Sequence, residues 1–112
     1  MAKFVKGDVV VVPFPFSDLS QSKRRPTIVL SALDGNDVIL CQITSKQTFD
    51  QYTIELNEND FQIGNLSQQS NIRPNRIFTI ESSLILYRIG KLNEEKLNRV
   101  IEKVIHILRT SQ

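Results

Sequence analysis

Residues 23–31, KRRPTIVLS, place three basic side chains directly before a proline and an apolar, β-branched run. An arginine guanidinium stays protonated, and its planar fork donates two charge-assisted hydrogen bonds to a phosphate. Proline fixes the backbone at the expected start of a strand, so Arg25 is the basic residue with the best-defined position. The run therefore indicates either a solvated basic turn or a phosphate-binding site.

A pair of hydroxyls stands at the end of another predicted strand, where Thr44 and Ser45 precede Lys46. These groups suit a phosphate, although ordinary hydrogen bonding at a strand end accounts for the same pattern. Arg73 is a further basic candidate. It either contacts a bound phosphate or pairs with a carboxylate such as Glu81.

Other kinds of chemistry find little support in the residues. His106, the one histidine, falls on the polar side of a predicted helix and is expected to be exposed, and a histidine pair is excluded by count. Cys41 stands between Ile39 and Ile43 and is expected to be a small buried hydrophobic residue. The aspartates fall mostly at turns without metal-ligand spacing, so neither a metal nor another cofactor is expected.

Several aromatic residues accompany the basic segments. Stacking of bases on rings beside cations is a common way of binding single-stranded nucleic acid. Phe14 and Tyr52 are expected in the core, whereas Phe16 and Phe49 flank the basic and hydroxyl segments and leave both alternatives open.

The elements that must hold these side chains are mostly predicted strands. A turn at Gly7-Asp8 precedes VVVVPFPF, whose two prolines place its far end at an edge or a bend. Residues 34–37, DGND, predict a hairpin between PTIVLSAL, which is expected to start at Pro26, and VILCQIT. VILCQIT is apolar on both faces, which is typical of a central strand covered on both sides.

The second half of the chain predicts further strands and one helix. QYTIELN alternates like a half-buried strand, residues 57–69 are expected to be a polar connection, and SNIRPNRIFTIE indicates a strand interrupted at Pro74. LILYRI predicts another short strand. Asn93 is expected to cap a helix with one apolar stripe, formed by Leu97, Val100, Ile101, Val104, Ile105 and Leu108.

Length and composition are those of one soluble domain over residues 1–112, mainly β with a C-terminal helix, and the strand spacing favours a small SH3-like antiparallel β-barrel. The formal net charge of +2 permits a nucleic-acid partner without requiring one. With one cysteine, no signal-peptide pattern and no segment of membrane-span length, a cytoplasmic location without membrane contact is expected.

The segment KGDVVVVPFPFSDLSQSKRRPTIVLS together with CQITSK resembles the PemK/MazF family of toxin endoribonucleases, or mRNA interferases, of type II toxin–antitoxin systems. The most specific parts are Gly7-Asp8, Arg25-Pro26 and residues 43–45, and NIRPNRIFTIE and the final helix follow in the family's order. The resemblance implies a homodimer of small barrels that cleaves single-stranded RNA sequence-selectively without a metal. It also implies inhibition by a cognate antitoxin, and contact with operator DNA only through that antitoxin.

The resemblance also assigns roles. Arg25 matches the family's catalytic arginine and Thr44 its threonine, while Arg73 matches an arginine that some members use in catalysis. Cleavage needs a positioned 2′-hydroxyl, proton transfer and stabilisation of charge on the phosphoryl oxygens, all of which are possible without a metal. Contacts with the RNA are expected from Lys23, Arg24, Ser45, Lys46, Asn75 and Phe16.

Two other functions fit the same fold. One is a non-catalytic toxin that binds DNA gyrase, suggested by Asn75 standing where some members carry aspartate and by the altered first loop. That branch typically uses a tail ending in Trp and Ile, whereas this chain has no Trp and ends in Thr110-Ser111-Gln112. The other is a degenerate module that binds RNA without cutting it.

Overall fold

The computed structural model describes residues 4–14, 23–47 and 50–110. The strands are β1 (Asp8–Phe14), β2 (Lys23–Ala32), β3 (Asp37–Thr44), β4 (Ile54–Leu56), β5 (Phe61–Gly64), β6 (Ser70–Glu81) and β7 (Tyr87–Leu92), and the helix is α1 (Glu94–Thr110). Short 3-10 turns lie at Glu58–Asp60 and Ser82–Leu84. The expectation of a mainly β chain with a C-terminal helix is confirmed.

All seven strands form one antiparallel sheet in the order β4-β6-β3-β2-β1-β7-β5. Within the described ranges the edge strands β4 and β5 do not pair with each other, so the curled sheet is a half-barrel. No helix in the described part of the chain is long and apolar enough to cross a membrane.

The middle strand β3 is covered on both faces, as its sequence predicts. Cys41 and Ile43 point into a core that also holds Leu97 and Val100 of α1. Leu40, on the opposite face, packs in a second cluster of mostly β-branched residues. Because alternate residues of a strand face opposite sides, the polar residues that continue the Leu40 row are Gln42 and Thr44.

The first strand, β1, also contributes to the face of the sheet that carries Leu40. Gly7 adopts a positive φ of 97°, which permits the turn before β1. Asp8 is fully buried, and its Oδ2 accepts a hydrogen bond of 2.9 Å from the backbone N–H of Val5. β1 pairs with β7 only as far as Val11, so Pro13 lies beyond that pairing and meets β2 alone, as expected for proline.

Three expectations about element bounds are wrong. β2 begins at Lys23 rather than at Pro26; its pairing with β3 starts at Thr27, so Pro26 interrupts no ladder on that side. The connection over residues 57–69 contains β5, which pairs with β7. β6 is not interrupted at Pro74, because the strand continues while its pairing with β3 shifts register.

The helix begins as predicted. The Asn93 side-chain Oδ1 accepts a 2.8 Å hydrogen bond from the backbone N–H of Lys96, which satisfies a free donor of the first turn. The predicted apolar stripe is buried only in its first part: Leu97 and Val100 are in the core, whereas Leu108 is 71% exposed. His106 is exposed, as its position in the helix predicts.

Candidate functional site

A basic pocket of about 260 Å³ opens on the second face of the sheet, where β2, β3 and β6 run side by side. Among the residues that the structure describes, its lining has four cationic side chains and no acidic one. The cations are Arg25, Lys46, Arg73 and Arg76. Four like charges around a small cavity attract an anion, and arginine prefers phosphate or carboxylate geometry.

Strand pairing brings Arg25 and Thr44 to this pocket from distant parts of the sequence. In the β2–β3 register Thr27 lies opposite Gln42, and continuing the same register sets Arg25 beside Thr44. Both line the pocket. Arg25 is also anchored from the other side, where it pairs with the fully buried Val12 of β1. The guanidinium therefore projects from a strand between two neighbours rather than from a mobile turn.

Arg25 is half-buried, and no ion pair or hydrogen bond holds its side chain within the described residues. A guanidinium that is partly desolvated but unpaired retains all its donors for an incoming anion. The alternative of an ordinary solvated turn does not describe this residue, since it stands inside β2 and lines a pocket.

The Thr44 hydroxyl is held at the end of β3. Thr44 is 9% exposed, and its Oγ1 accepts a 3.1 Å hydrogen bond from the backbone N–H of Lys46. The expected local hydrogen bond at the strand end thus exists. It uses the oxygen as acceptor and leaves the hydroxyl proton without an acceptor among the described residues, so that proton is available to a ligand.

Arg73 is held differently from Arg25. Its Nη2 donates to Oδ2 of Asp50 over 2.8 Å, so Arg73 pairs with a carboxylate, as one of the expected alternatives holds, although that carboxylate is Asp50 and not Glu81. Its Nε is buried and has no hydrogen-bond partner among the described residues. The backbone carbonyl of Arg73 also accepts a 3.2 Å hydrogen bond from the Cys41 thiol, which fixes the main chain below the side chain.

The carboxylate that holds Arg73 is itself fixed. Oδ1 of Asp50 accepts hydrogen bonds from the Thr53 hydroxyl at 2.8 Å and from the backbone N–H groups of Tyr52 and Thr53 at 3.0 Å each. These bonds, first the Thr53 hydroxyl and also the charge of Arg73, lower the pKa of Asp50. At neutral pH the partner of Arg73 is therefore a carboxylate.

A bulge in β6 supplies the fourth cation. Cys41 pairs with Ile77 and the next residue of β3, Gln42, pairs with Arg73, so residues 74–76 have no partner on β3. Arg76 lies in this bulge and lines the pocket. Neither Arg76 nor Gln42 was recognised as a site residue from the sequence. Proline at position 74 is the signal for such a bulge, because it cannot donate to the ladder.

The remaining candidates lie around the pocket. Lys23 is exposed on the face of β2 that carries Arg25, whereas Arg24 points to the other face. Ser45 is exposed and lines a neighbouring cleft. Asn75 is exposed in the β6 bulge and is not part of the pocket lining.

The aromatic candidates also differ in where they lie relative to the pocket and to the described residues. Phe16 and Phe49 lie outside the described residues. Phe14 is half-buried, with its ring centroid 5.8 Å from that of Phe78, and it also lines the pocket. The expectation that Phe14 belongs to the core is thus met on one side of its ring, while the other side borders the basic groups.

Two other chemistries can be assessed from the geometry. Burial raises the pKa of the Cys41 thiol to about 12, so the group is a thiol and not a nucleophilic thiolate. Among residues 4–14, 23–47 and 50–110 no group of three or more His, Cys, Asp or Glu side chains is arranged to hold a metal ion.

Comparison with protein families gives one match, which covers residues 5–108. The matching family is described as the PemK-like, MazF-like toxins of type II toxin–antitoxin systems. No curated protein sequence matches the chain.

Solved structures share the fold at low sequence identity. An endoribonuclease from Mycobacterial species is 14% identical with a TM-score of 0.74, covering 100% of this chain and 97% of the other. An endoribonuclease in complex with its cognate antitoxin, also from Mycobacterial species, is 12% identical with a TM-score of 0.76 and covers 97% and 98%. A MazE–MazF structure from Deinococcus radiodurans is 19% identical with a TM-score of 0.77 and covers 99% and 100%.

Proposed function

The chain belongs to the family of PemK-like, MazF-like toxins of type II toxin–antitoxin systems, and we propose that it is an endoribonuclease that cuts single-stranded RNA without a metal. The observation that carries the proposal is the Arg25 guanidinium, which has no ion-pair or hydrogen-bond partner among the described residues and lines a basic pocket together with Thr44. The solved structures of similar fold that are named endoribonucleases support the same activity.

The proposed reaction uses the nucleophile that RNA itself carries. The 2′-hydroxyl oxygen attacks the adjacent phosphorus and loses its proton, the bond from phosphorus to the 5′-oxygen breaks, and that oxygen takes a proton. The products are a 2′,3′-cyclic phosphate and a 5′-hydroxyl. Negative charge grows on the phosphoryl oxygens during the attack, so fixed donors aimed at them lower the barrier.

Each pocket residue has a role in this scheme. Arg25 binds the phosphoryl oxygens and stabilises their added charge, because its donors have no partner among the described residues and its backbone is held in β2 by pairing with Val12 of β1. Thr44 donates its free hydroxyl proton to the phosphate or orients the 2′-hydroxyl. Lys46 and Arg76 attract the RNA backbone from the rim of the pocket.

Arg73 has a narrower role in the proposal. One end of its guanidinium is bound to Asp50, which restrains the side chain and partly neutralises its charge. It contacts the scissile phosphate with its remaining donors, as a catalytic group secondary to Arg25. Lys23, Arg24, Ser45 and Asn75, which are not part of the described pocket lining, remain proposed RNA contacts, as does Phe16, which lies outside the described residues.

The biological setting is proposed with the activity. The protein acts in the cytoplasm as a homodimer, slows growth by cutting mRNA, and is inhibited by a cognate antitoxin that also carries it to operator DNA. Support for the antitoxin comes from the family and from similar structures described as complexes with an antitoxin or with MazE.

The direct test uses purified protein and a long single-stranded RNA of mixed sequence in excess EDTA, with both new ends mapped. Discrete cuts that carry 2′,3′-cyclic phosphates and 5′-hydroxyls are expected. Intact RNA after incubation with folded protein would overturn the proposed cleavage. An RNA-binding assay and a gyrase supercoiling assay would then distinguish the two non-catalytic functions that share this fold.

A further inference from the structure

A second cavity of about 530 Å³ adjoins the basic pocket and has the opposite character. Its volume lies within the range of small-ligand sites, about 300–1,000 Å³. Its described lining contains no basic side chain. Hydroxyls, side-chain amides and two carboxylates line it, among them Ser45, Gln47, Asp50, Glu55, Gln69 and Asn71. We call it the polar cleft.

The polar cleft and the basic pocket share one wall. From the last residue of β3 onward, Thr44 and Lys46 line the basic pocket while Ser45 and Gln47 line the polar cleft. The Arg73–Asp50 ion pair joins the two cavities, since Arg73 lines the first and Asp50 the second. When the anionic group of a ligand lies in the basic pocket, the adjoining group of that ligand can therefore reach the polar cleft.

Strand register sets the spacing between the two ends. Thr44 of β3 pairs with Asn71 of β6, and Asn71 pairs on its other side with Glu55 of β4. Paired residues of neighbouring strands lie on the same face, so these three side chains form one row. Two strand spacings separate Thr44 from Glu55, roughly 10 Å. The row thus leads from the basic pocket to an acidic side chain.

The polar cleft offers both donors and acceptors, and its carboxylates, Asp50 and Glu55, are groups that only accept when ionised. Asp50 is saturated by its four hydrogen bonds. Glu55 accepts one bond of 2.6 Å from the Gln69 amide at Oε1, and its Oε2 has no partner among the described residues. The Asn71 amide nitrogen donates to the backbone carbonyl of Lys46 at 3.0 Å. The amide oxygen of Asn71 therefore points away from that carbonyl. A carboxylate accepts hydrogen bonds and repels carbonyl oxygens.

We propose that the polar cleft binds the base of a nucleotide whose phosphate lies in the basic pocket, and that Glu55 selects a base with an exocyclic amino group over uracil. Adenine, cytosine and guanine each present amino hydrogens to an acceptor. Uracil has a single carbonyl oxygen, O4, where cytosine has its amino group, and this oxygen would face the Glu55 carboxylate. Single-stranded RNA leaves such base edges free for recognition. The inference rests on the proposed RNA cleavage for its biological meaning.

The sharpest test compares two nucleotides whose bases differ only at C4, which carries an amino group or a carbonyl, and at the adjacent N3, which is an acceptor in cytosine and an N–H donor in uracil. Cytidine and uridine 5′-monophosphate have the same phosphate and ring size, and cytosine has an amino group where uracil has a carbonyl. Binding is followed by NMR through the side-chain amides of Asn71 and Gln47. We expect cytidine monophosphate to bind about tenfold more tightly, and the ratio to fall close to one in Glu55→Gln, because a glutamine also donates.

The matched control is Glu58→Gln, which removes the same charge from an exposed residue of a different cavity. It is expected to keep the parent's tenfold ratio. Equal affinities in the parent, or no shift of the Asn71 and Gln47 amides with either nucleotide, would overturn the inference. Because this assay involves no cleavage, an absence of ribonuclease activity would refute the proposed function while leaving the binding test intact.

Discussion

Nη2 of Arg73 lies 2.8 Å from Oδ2 of Asp50, and this ion pair ties the chain after β3 to the middle of β6. The two residues are 23 positions apart in the sequence. Hydrogen bonds from residues 52 and 53 fix the carboxylate on one side, and the Cys41 thiol fixes the Arg73 carbonyl on the other. The pair therefore forms a rigid partition between the basic pocket and the polar cleft.

The ion pair can be tested by measuring how the stability of the variant Asp50→Asn depends on pH. Since hydrogen bonds and Arg73 lower the folded-state pKa of Asp50, the carboxylate stabilises the fold above the unfolded pKa of about 3.9, and this contribution is lost as the pH falls through the folded value. Asp50→Asn is expected to unfold at a lower urea concentration than the parent near pH 7, with the gap narrowing as the pH falls below the unfolded pKa of about 3.9.

The control for this experiment is Asp34→Asn, at an exposed hairpin position whose side chain has no ion pair among the described residues. Its urea midpoint is expected to follow that of the parent at each pH. A gap between Asp50→Asn and the parent that stays constant as the pH falls well below the unfolded pKa of about 3.9 would contradict the ion-pair account.

The role of Thr44 can be tested with two substitutions, each of which changes one group of the threonine side chain. Thr44→Val keeps the shape but removes the hydroxyl, whereas Thr44→Ser keeps the hydroxyl that meets the Lys46 N–H. Loss of a group that moves or donates a proton costs about 10²–10⁴-fold in rate. We expect kcat/KM for RNA cleavage to fall at least about 10²-fold in Thr44→Val and much less in Thr44→Ser. Equal activity of the two variants would remove the hydroxyl from the mechanism.

The thiol of Cys41 is expected to be inert in the native protein. Burial raises its pKa from 9.0 to about 12, and the side chain has no exposed surface. Because thiolate is the reactive form, each unit of this shift lowers reactivity about tenfold at neutral pH. Labelling with a disulfide reagent should be at least about 10³-fold slower in buffer than in urea. Comparable rates in both would show that β3 opens readily.

Alanine substitutions at two glycines with similar φ values distinguish the cost of backbone strain from the cost of steric overlap. Gly35 and Gly64 have φ values of 82° and 73°, and a Cβ at Gly35 meets nothing within 4 Å, whereas one at Gly64 would overlap the carbonyl oxygen of Ile89. Gly35→Ala is expected to cost about 1–2 kcal/mol in free energy of unfolding, from left-handed strain. Gly64→Ala should cost roughly 1–3 kcal/mol more. Urea unfolding measures both, and equal losses would contradict the β5–β7 pairing.

Local patterns predict much of this fold. The spacing of Leu97 and Val100 and the cap at Asn93 identify the helix, since both signals lie within a few turns of chain. The apolar run of β3 identifies a central strand. β5 was not predicted because it is short and mostly exposed, so its sequence lacks the alternation of apolar and polar residues that marks a half-buried strand. Its existence depends on pairing with β7.

The site is less predictable because it is assembled by pairings between distant segments. Arg25 and Thr44 were identified through a family resemblance, and the β2–β3 register then brings them to one pocket. The partner of Arg73 depends on where the chain after β3 returns, which no local pattern specifies. Arg76 enters the pocket only because β6 bulges after Pro74.

The central claim is that Arg25 stabilises the transition state of a metal-free RNA cleavage. The measurement is the rate of cutting of a single-stranded RNA in excess EDTA by the parent, by Arg25→Ala and by Arg99→Ala, which removes the same charge from an exposed position of α1. The account predicts that Arg25→Ala, folded as judged by circular dichroism, cuts at least about 10²-fold more slowly, while Arg99→Ala matches the parent. Cutting by Arg25→Ala at the parent's rate and sites would contradict it.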